Sequence, residues 1–256
     1  MSGEIFQERL HRLGLPIFSL AIAALGVETV VCAQRVEHTL GGVPFDVIPV
    51  IPWLPPVPWI ASLFGVIWVA CGTGLLARRT RRTAALVLGT LLFLCTLVLD
   101  APKYAGNFSN MSLRTGVLEP LSLTCLAWLI GGWLTLASRY LMAFSLIVFG
   151  VDHFLALAPI GGLLPGWIPW HAFWVAFFGT VFIASGLSIG LNYLQRPGAA
   201  GLGLMFAIWV LTLHLPRVLG LYGIAGAPSN PNEWSSLFIA VAMWGGPWSL
   251  ACRSEG

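Results

Sequence analysis

Eight stretches of the chain stay apolar for long enough to cross a bilayer, and short polar or proline-rich connections separate them. A helix needs about 17 to 25 residues to traverse roughly 30 Å of hydrocarbon. On that measure the pattern predicts spans near 13–33, 57–77, 83–99, 118–137, 140–158, 168–191, 198–215 and 234–252. Backbone groups in hydrocarbon must pair within their own segment, and the period-2 alternation of a membrane barrel is not visible. The predicted fold class is all-α, a polytopic membrane protein with eight transmembrane helices.

Composition agrees with this pattern: 57% of the 256 residues are hydrophobic and 9% charged, and the mean hydropathy is +0.86. A chain with so few charges cannot coat a soluble globule, so the lipid bilayer is the first expected partner. The net charge of +3 is spread over isolated residues, with no basic stripe to grip nucleic acid, which is excluded as a partner. The opening "MSGEIFQERLHRLG" is polar, carries two acids and is followed by no A-x-A-like cleavage site, so the first apolar run reads as a retained span. Arg9, Arg12, Arg78, Arg79, Arg81, Arg82, Arg139, Arg196 and Arg253 fall on one side of this topology, against Arg35, Lys103, Arg114 and Arg217 on the other. Short cytoplasmic loops keep the larger share, which predicts cytoplasmic termini.

A repeat divides the chain. A shift of 114 places Trp53 on Trp167, Phe64-Gly65 on Phe178-Gly179, Gly72 on Gly186, Pro102 on Pro216, Glu119 on Glu233 and Gly131-Gly132 on Gly245-Gly246. Upstream of Trp53 the shift becomes 124 and matches Gly26-Val27-Glu28 with Gly150-Val151-Asp152. The expected organisation is two tandem four-helix bundles, 1–137 and 138–256, in parallel orientation because each unit has an even number of spans.

The repeat pairs "HLPRVLG", from His214 to Gly220, with "DAPKYAG", from Asp100 to Gly106. Proline has no N–H and disfavours helix at the residue before it, so the chain is expected to turn out of its helix there, with His214 or Asp100 capping the last turn. Ionisable residues at membrane depth mark functional sites by default. Those of the first unit are Glu28, Asp100, Lys103 and Glu119, and those of the second are Asp152, His153, His171, His214, Arg217 and Glu233, all toward the side opposite the arginine-rich one. Three histidines on three helices with carboxylates nearby make a candidate first shell for a transition metal, His153, His171 and His214, or a pair of axial ligands for a haem. The first unit has Thr29, Val57 and Asp100 in their places.

Plainer roles compete with these. His214 can cap a helix end, Arg217 and Lys103 can pair with Glu233 and Glu119 or reach the headgroups, and Trp167, Trp170 and Trp174 can form an interfacial belt instead of a stacking surface for a flat ligand. The five cysteines form no C-x-x-C pair, which argues against a thiol–disulfide relay, and no phosphate loop, nucleophile elbow or zincin motif is present. The glycines at 72, 74, 131, 132, 245 and 246 serve close helix contact. The external "GGVPFDVIPVIPWLPPVPW" is expected to lie along the interface as a lid over the first unit.

The stretches "FGVDHF", "LPGWIPWHAFWVAFFGTVFIASGLSIGL", "RPGAAGLGLMFAIWVLTLHLPRVLG" and "NEWSSLFIAVAMWGGPWSLA" resemble the four-helix DoxX-like unit of bacterial membrane proteins. The resemblance covers Arg139 to Arg253 and fades in the first half, where "GVET" and "DAPKYAG" depart from the His-bearing pattern and put a second equal site in doubt. It implies a family site lined by Asp152, His153, His214 and Arg217, with quinone-linked thiosulfate oxidation as the family's named function.

Two expectations follow. One is a redox or metal-dependent enzyme with a transition metal, haem or quinone as cofactor, acting on a lipophilic small molecule. Its catalytic candidates are Asp152, His153, His214 and Arg217, and its substrate-binding candidates are Glu28, Asp100, Lys103, Glu119, Trp167, Trp170 and Glu233. The other is a non-catalytic accessory or lipid-like ligand-binding protein, working with a membrane-protein partner or as a homo-oligomer. A transporter fits less well, because the polar set is one-sided.

Overall fold

Runs rich in Leu, Ala, Val, Ile and Phe satisfy their own backbone groups by coiling, and the structure, a computed structural model, does this with helices throughout. It describes residues 2–39, 57–106, 109–221 and 231–251. The long helices are α1 (Ser2–Thr39), α2 (Pro58–Leu76) and α3 (Arg81–Cys95), the last continued by a π-helical turn and α4 (Ala101–Ala105). Then come α5 (Met111–Gly131), α6 (Thr135–Leu155), the short α7 (Leu157–Gly161) and α8 (His171–Gly190). The chain closes with α9 (Gln195–Trp209), a second π-helical turn, α10 (Leu215–Val218) and α11 (Pro231–Leu250).

Among the described residues there is no strand, and seven helical segments are long and apolar enough to cross a membrane, making this a multi-pass membrane protein. They are Glu8–Ala33, Pro58–Leu76, Arg81–Asp100, Met111–Gly131, Thr135–Leu155, His171–Gly190 and Gln195–Val218. The eighth expected stretch is a helix, α11, but Glu233, Ser235, Ser236, Gly245, Gly246 and Pro247 dilute its apolar content. Its packing explains why that is tolerated: it lies against α1, α5 and α9, and of its described side chains only Trp234 is exposed. The expected lid in the first long connection falls on residues 40–56, outside the described residues.

Helix ends follow local chemistry. The α5 helix starts seven residues before the predicted 118, because the Asn110 side chain accepts a hydrogen bond from Leu113 N–H (3.1 Å) and caps it. It stops at Gly132, whose φ of 74° lets Trp133 N–H close back on the Trp128 carbonyl at 2.8 Å.

The expectation that Pro102 and Pro216 turn the chain out of its helix is overturned. Helix continues through both prolines, because a π-helical turn precedes each: Thr96–Asp100 before Pro102 and Val210–His214 before Pro216. Ala101 N–H bonds the Thr96 carbonyl and Leu215 N–H the Val210 carbonyl, five residues back in both cases, and the widened turn accommodates a ring that has no N–H and crowds the preceding carbonyls. Asp100 and His214 therefore close π-turns inside the bundle and do not cap a terminus.

Packing is densest where glycine removes the side chain. In the α1–α2 contact a Cβ on Gly26 would lie 2.6 Å from the Gly65 carbonyl oxygen, and one on Gly65 2.6 Å from that of Gly26. In the α6–α8 contact a Cβ on Gly150 would lie 2.6 Å from the Gly179 carbonyl oxygen. Around these contacts Phe18, Ile22, Leu25, Trp68, Leu88, Leu123, Met142 and Leu146 are fully buried, while Leu20, Val66, Phe144 and many similar side chains point outward, as lipid-facing positions do.

Gly65→Ala is accordingly expected to force α1 and α2 apart and to cost about 1 to 3 kcal/mol. Thermal unfolding in mild detergent should show a clear fall in Tm for Gly65→Ala and none for Gly116→Ala, where a Cβ meets nothing within 4 Å.

Candidate functional site

The polar side chains gather at the end of the helices opposite Arg78–Arg82, and most of them are used to tie helices together. Arg114, in the first turn of α5, grips Asp152 of α6 with both arms of its guanidinium: Nε donates to Oδ2 at 3.2 Å and Nη2 donates to Oδ1. Arg217 of α10 does the same with Glu233 of α11, Nε to Oε2 at 2.8 Å and Nη2 to Oε1 at 2.6 Å. Bidentate geometry makes these stronger than single contacts and fixes orientation. Ser235 Oγ of α11 donates to Glu28 Oε1 of α1 at 2.8 Å.

Beside these ties lies a cluster of rings. His153, one residue beyond Asp152 on α6, points to the other side of its helix, where its ring stacks on Trp209 at 5.6 Å and 28° and touches Phe182 at 5.1 Å. Trp209 in turn meets His214 at 6.4 Å and Phe178 at 5.4 Å, and Phe178 meets Trp174 at 6.1 Å. The π-turn after Trp209 is what carries the His214 ring back onto that indole.

His153 Nδ1 lies 2.7 Å from the Phe149 carbonyl oxygen. A carbonyl only accepts, so Nδ1 carries the proton and Nε2 presents a lone pair. Nε2 is buried without a hydrogen-bond partner, and so are Trp174 Nε1, Trp209 Nε1 and His214 Nδ1. Four orphaned ring nitrogens in one cluster are unusual, because buried polar groups are normally satisfied. On the Trp174 side of the cluster lies an apolar cavity of about 300 Å³ bounded by Leu164, Trp167, Trp174, Phe178, Ile208 and Thr212; of the four nitrogen-bearing side chains Trp174 is the one on its wall.

The expected residues separate on this geometry. His153, His214 and Trp167 belong to the ring cluster or its cavity. Asp152, Arg217 and Glu233 are engaged in ion pairs. Trp170 is 78% exposed and holds φ 56° just before α8, away from the cavity wall. His171 Nε2 lies 3.2 Å from the Pro165 carbonyl oxygen, a contact that ties the preceding loop to the start of α8. Among the described residues no group of three or more His, Cys, Asp or Glu side chains is placed to hold a metal ion, so His153, His171 and His214 do not form the expected ligand set. A haem held by His153 and His214 does not fit either, since Trp209 packs against both imidazoles where a porphyrin between them would have to lie.

In the first half of the chain Glu28 bonds Ser235, Asp100 is buried at its π-turn, and Glu119 is part-buried within α5. The Lys103 side chain falls outside the described residues. Sequence reasoning used Arg114 only for orientation and passed over Trp209 and Ser235. Arg114 had one available signal, a lone cation at the mouth of an apolar run, whereas Trp209 had none, being one of 12 tryptophans.

The chain matches no protein-family model, no curated protein and no solved structure.

The side chains of Arg114 and Asp152 are 15% and 6% exposed, so breaking this pair strands a charge. Asp152→Ala is expected to cost about 3 to 5 kcal/mol. Arg114→Met combined with Asp152→Leu should cost less than Asp152→Ala alone, a non-additivity that a double-mutant cycle on thermal unfolding reads directly.

Proposed function

We propose that the chain is a DoxX-like inner-membrane protein that binds a flat lipophilic molecule bearing ring oxygens, a quinol or its quinone, among the rings of its second unit. The observation that carries this reading is the cluster of four orphaned ring nitrogens, which meets an apolar cavity at Trp174 and Phe178. Their chemistry is complementary to such a molecule. His153 Nε2 accepts a hydroxyl proton, the two indole N–H groups donate to a ring oxygen, and the aromatic faces of Phe178, Phe182 and Trp209 stack on a flat ring. His153 is the group that takes and returns a proton at Nε2.

The two-unit architecture within this proposal has eight spans, with α11 as the eighth. Support comes from helix neighbours that repeat in order: α1–α2 with α6–α8, α2–α3 with α8–α9, α3–α5 with α9–α11, and α5–α6 with α11–α1. The π-turns at Thr96–Asp100 and Val210–His214 stand 114 residues apart, the same shift as the sequence repeat. The excess of arginine at one end supports cytoplasmic termini, which puts the ring cluster on the external side.

A second reading, a binder without turnover, is favoured by one observation: Asp152 and Glu233 are committed to arginines, which leaves them unavailable as a carboxylate relay for the histidines.

The test is tryptophan-fluorescence titration of detergent-solubilised protein with a short-chain quinol and its quinone. His153→Phe is expected to weaken quinol binding about 10-fold or more, the loss of one buried hydrogen bond. The same change should leave ligand-free Tm about level, since removing the unsatisfied Nε2 offsets the loss of the Nδ1 hydrogen bond to the Phe149 carbonyl. Equal quinol affinity in the two proteins would reject the site, and a lowered Tm with no ligand effect would make His153 a structural residue.

A further inference from the structure

A second cavity, of about 100 Å³, lies at the arginine-rich end where α5, α6, α8, α9 and α11 meet. Its wall is apolar through Leu126, Met142, Ala199 and Pro247, with two polar side chains, Arg139 and Gln195. Gln195 is occupied with its own neighbours, donating to the Ile189 carbonyl at 3.5 Å and to Asn192. Arg139 is not. Its Nη2 reaches the Tyr140 hydroxyl at 3.5 Å, the limit of a hydrogen bond, its Cζ sits 5.1 Å from the Tyr140 ring, and its Nε is buried with no partner.

No carboxylate among the described side chains at this end is free to answer it. Glu8 is there, but it is paired with Arg12 at 2.6 Å. Arg78, Arg79, Arg81 and Arg82 lie at the same end of the helices, where the Trp133 indole N–H donates to the Arg82 carbonyl at 3.3 Å. A guanidinium on the wall of an apolar cavity, short of acceptors and at the arginine-rich end, needs an anion with several oxygens.

We infer that this cavity seats the phosphate of an anionic phospholipid, with Arg139 as its hydrogen-bond donor and the acyl chains against the walls given by α5, α6 and α11. Basic pockets between transmembrane helices recognise lipid headgroups by this combination of charge and apolar wall. The lipid wedges between α5, which precedes residue 138, and α6, α8, α9 and α11, which follow it, so it bridges the two halves of the chain.

Native mass spectrometry of the full chain, with phosphatidylglycerol or phosphatidylcholine of identical acyl chains, tests this. One phosphatidylglycerol per chain is expected to survive collision energies that strip phosphatidylcholine. Arg139→Gln should lower the retained fraction at least five-fold, and Arg196→Gln, at an exposed position, should leave it unchanged. Leu250→Trp keeps the cation but takes up cavity volume, and it should also release the lipid. Should Arg139→Gln not fold, Leu250→Trp and the phosphatidylcholine comparison still decide the matter. Unchanged retention in both variants, or equal retention of the two lipids, would overturn the proposal. Displacement of phosphatidylglycerol by millimolar inorganic phosphate, with an equal rise in Tm, would make this a plain oxyanion site and overturn the lipid assignment as well.

Discussion

A charge removed from water must meet an opposite charge or hydrogen-bonding partner, and that requirement organises one whole end of this bundle. Arg114 and Asp152 join α5 to α6, Arg217 and Glu233 join α10 to α11, and Ser235 and Glu28 join α11 to α1. Apolar packing between helices gives little register in a membrane, because lipid tails are as apolar as leucine. Bidentate ion pairs supply it, since a guanidinium accepts a carboxylate in one plane. With the helix ends fixed, the rings beside them are held where four of their nitrogens meet no polar partner.

Two local devices allow that arrangement. Glycine at positions 26 and 65, and at 150 and 179, brings neighbouring backbones into contact, so the helices cross at fixed points. The π-turns before Pro102 and Pro216 keep the helix continuous and reset its phase by one residue. The second of them presents His214 to Trp209, which already stacks on His153. Asp152 and His153 are adjacent in sequence yet serve different sides of α6, one to an ion pair and the other to the ring cluster, as the roughly 100° step between helical neighbours allows.

The two cavities differ in what they offer. The larger is walled by aromatic faces and meets the ring cluster at Trp174 and Phe178, and the smaller meets an under-coordinated guanidinium. Both lie on helices after residue 134, with α5 the contributor to the smaller one from earlier in the chain. The corresponding places in the first half hold Thr29, Val57 and Asp100, so the proposed ring site has no imidazole counterpart there.

The sequence by itself determined what depends on composition and local periodicity. Long apolar runs dictate helices that cross a membrane, and the pairing of Arg217 with Glu233 stood among the plain alternatives because their charges fall at the same depth. Tertiary structure decided what depends on direction. Spacing placed His153, His171 and His214 at one level, but only packing shows His171 turned to the Pro165 carbonyl and the other two laid on Trp209. Spacing likewise predicted breaks at Pro102 and Pro216, where the widened turns carry the helix through. The enclosure of α11 by α1, α5 and α9 is equally invisible in a hydropathy window, because the environment of a helix is set by its neighbours and not by its own residues.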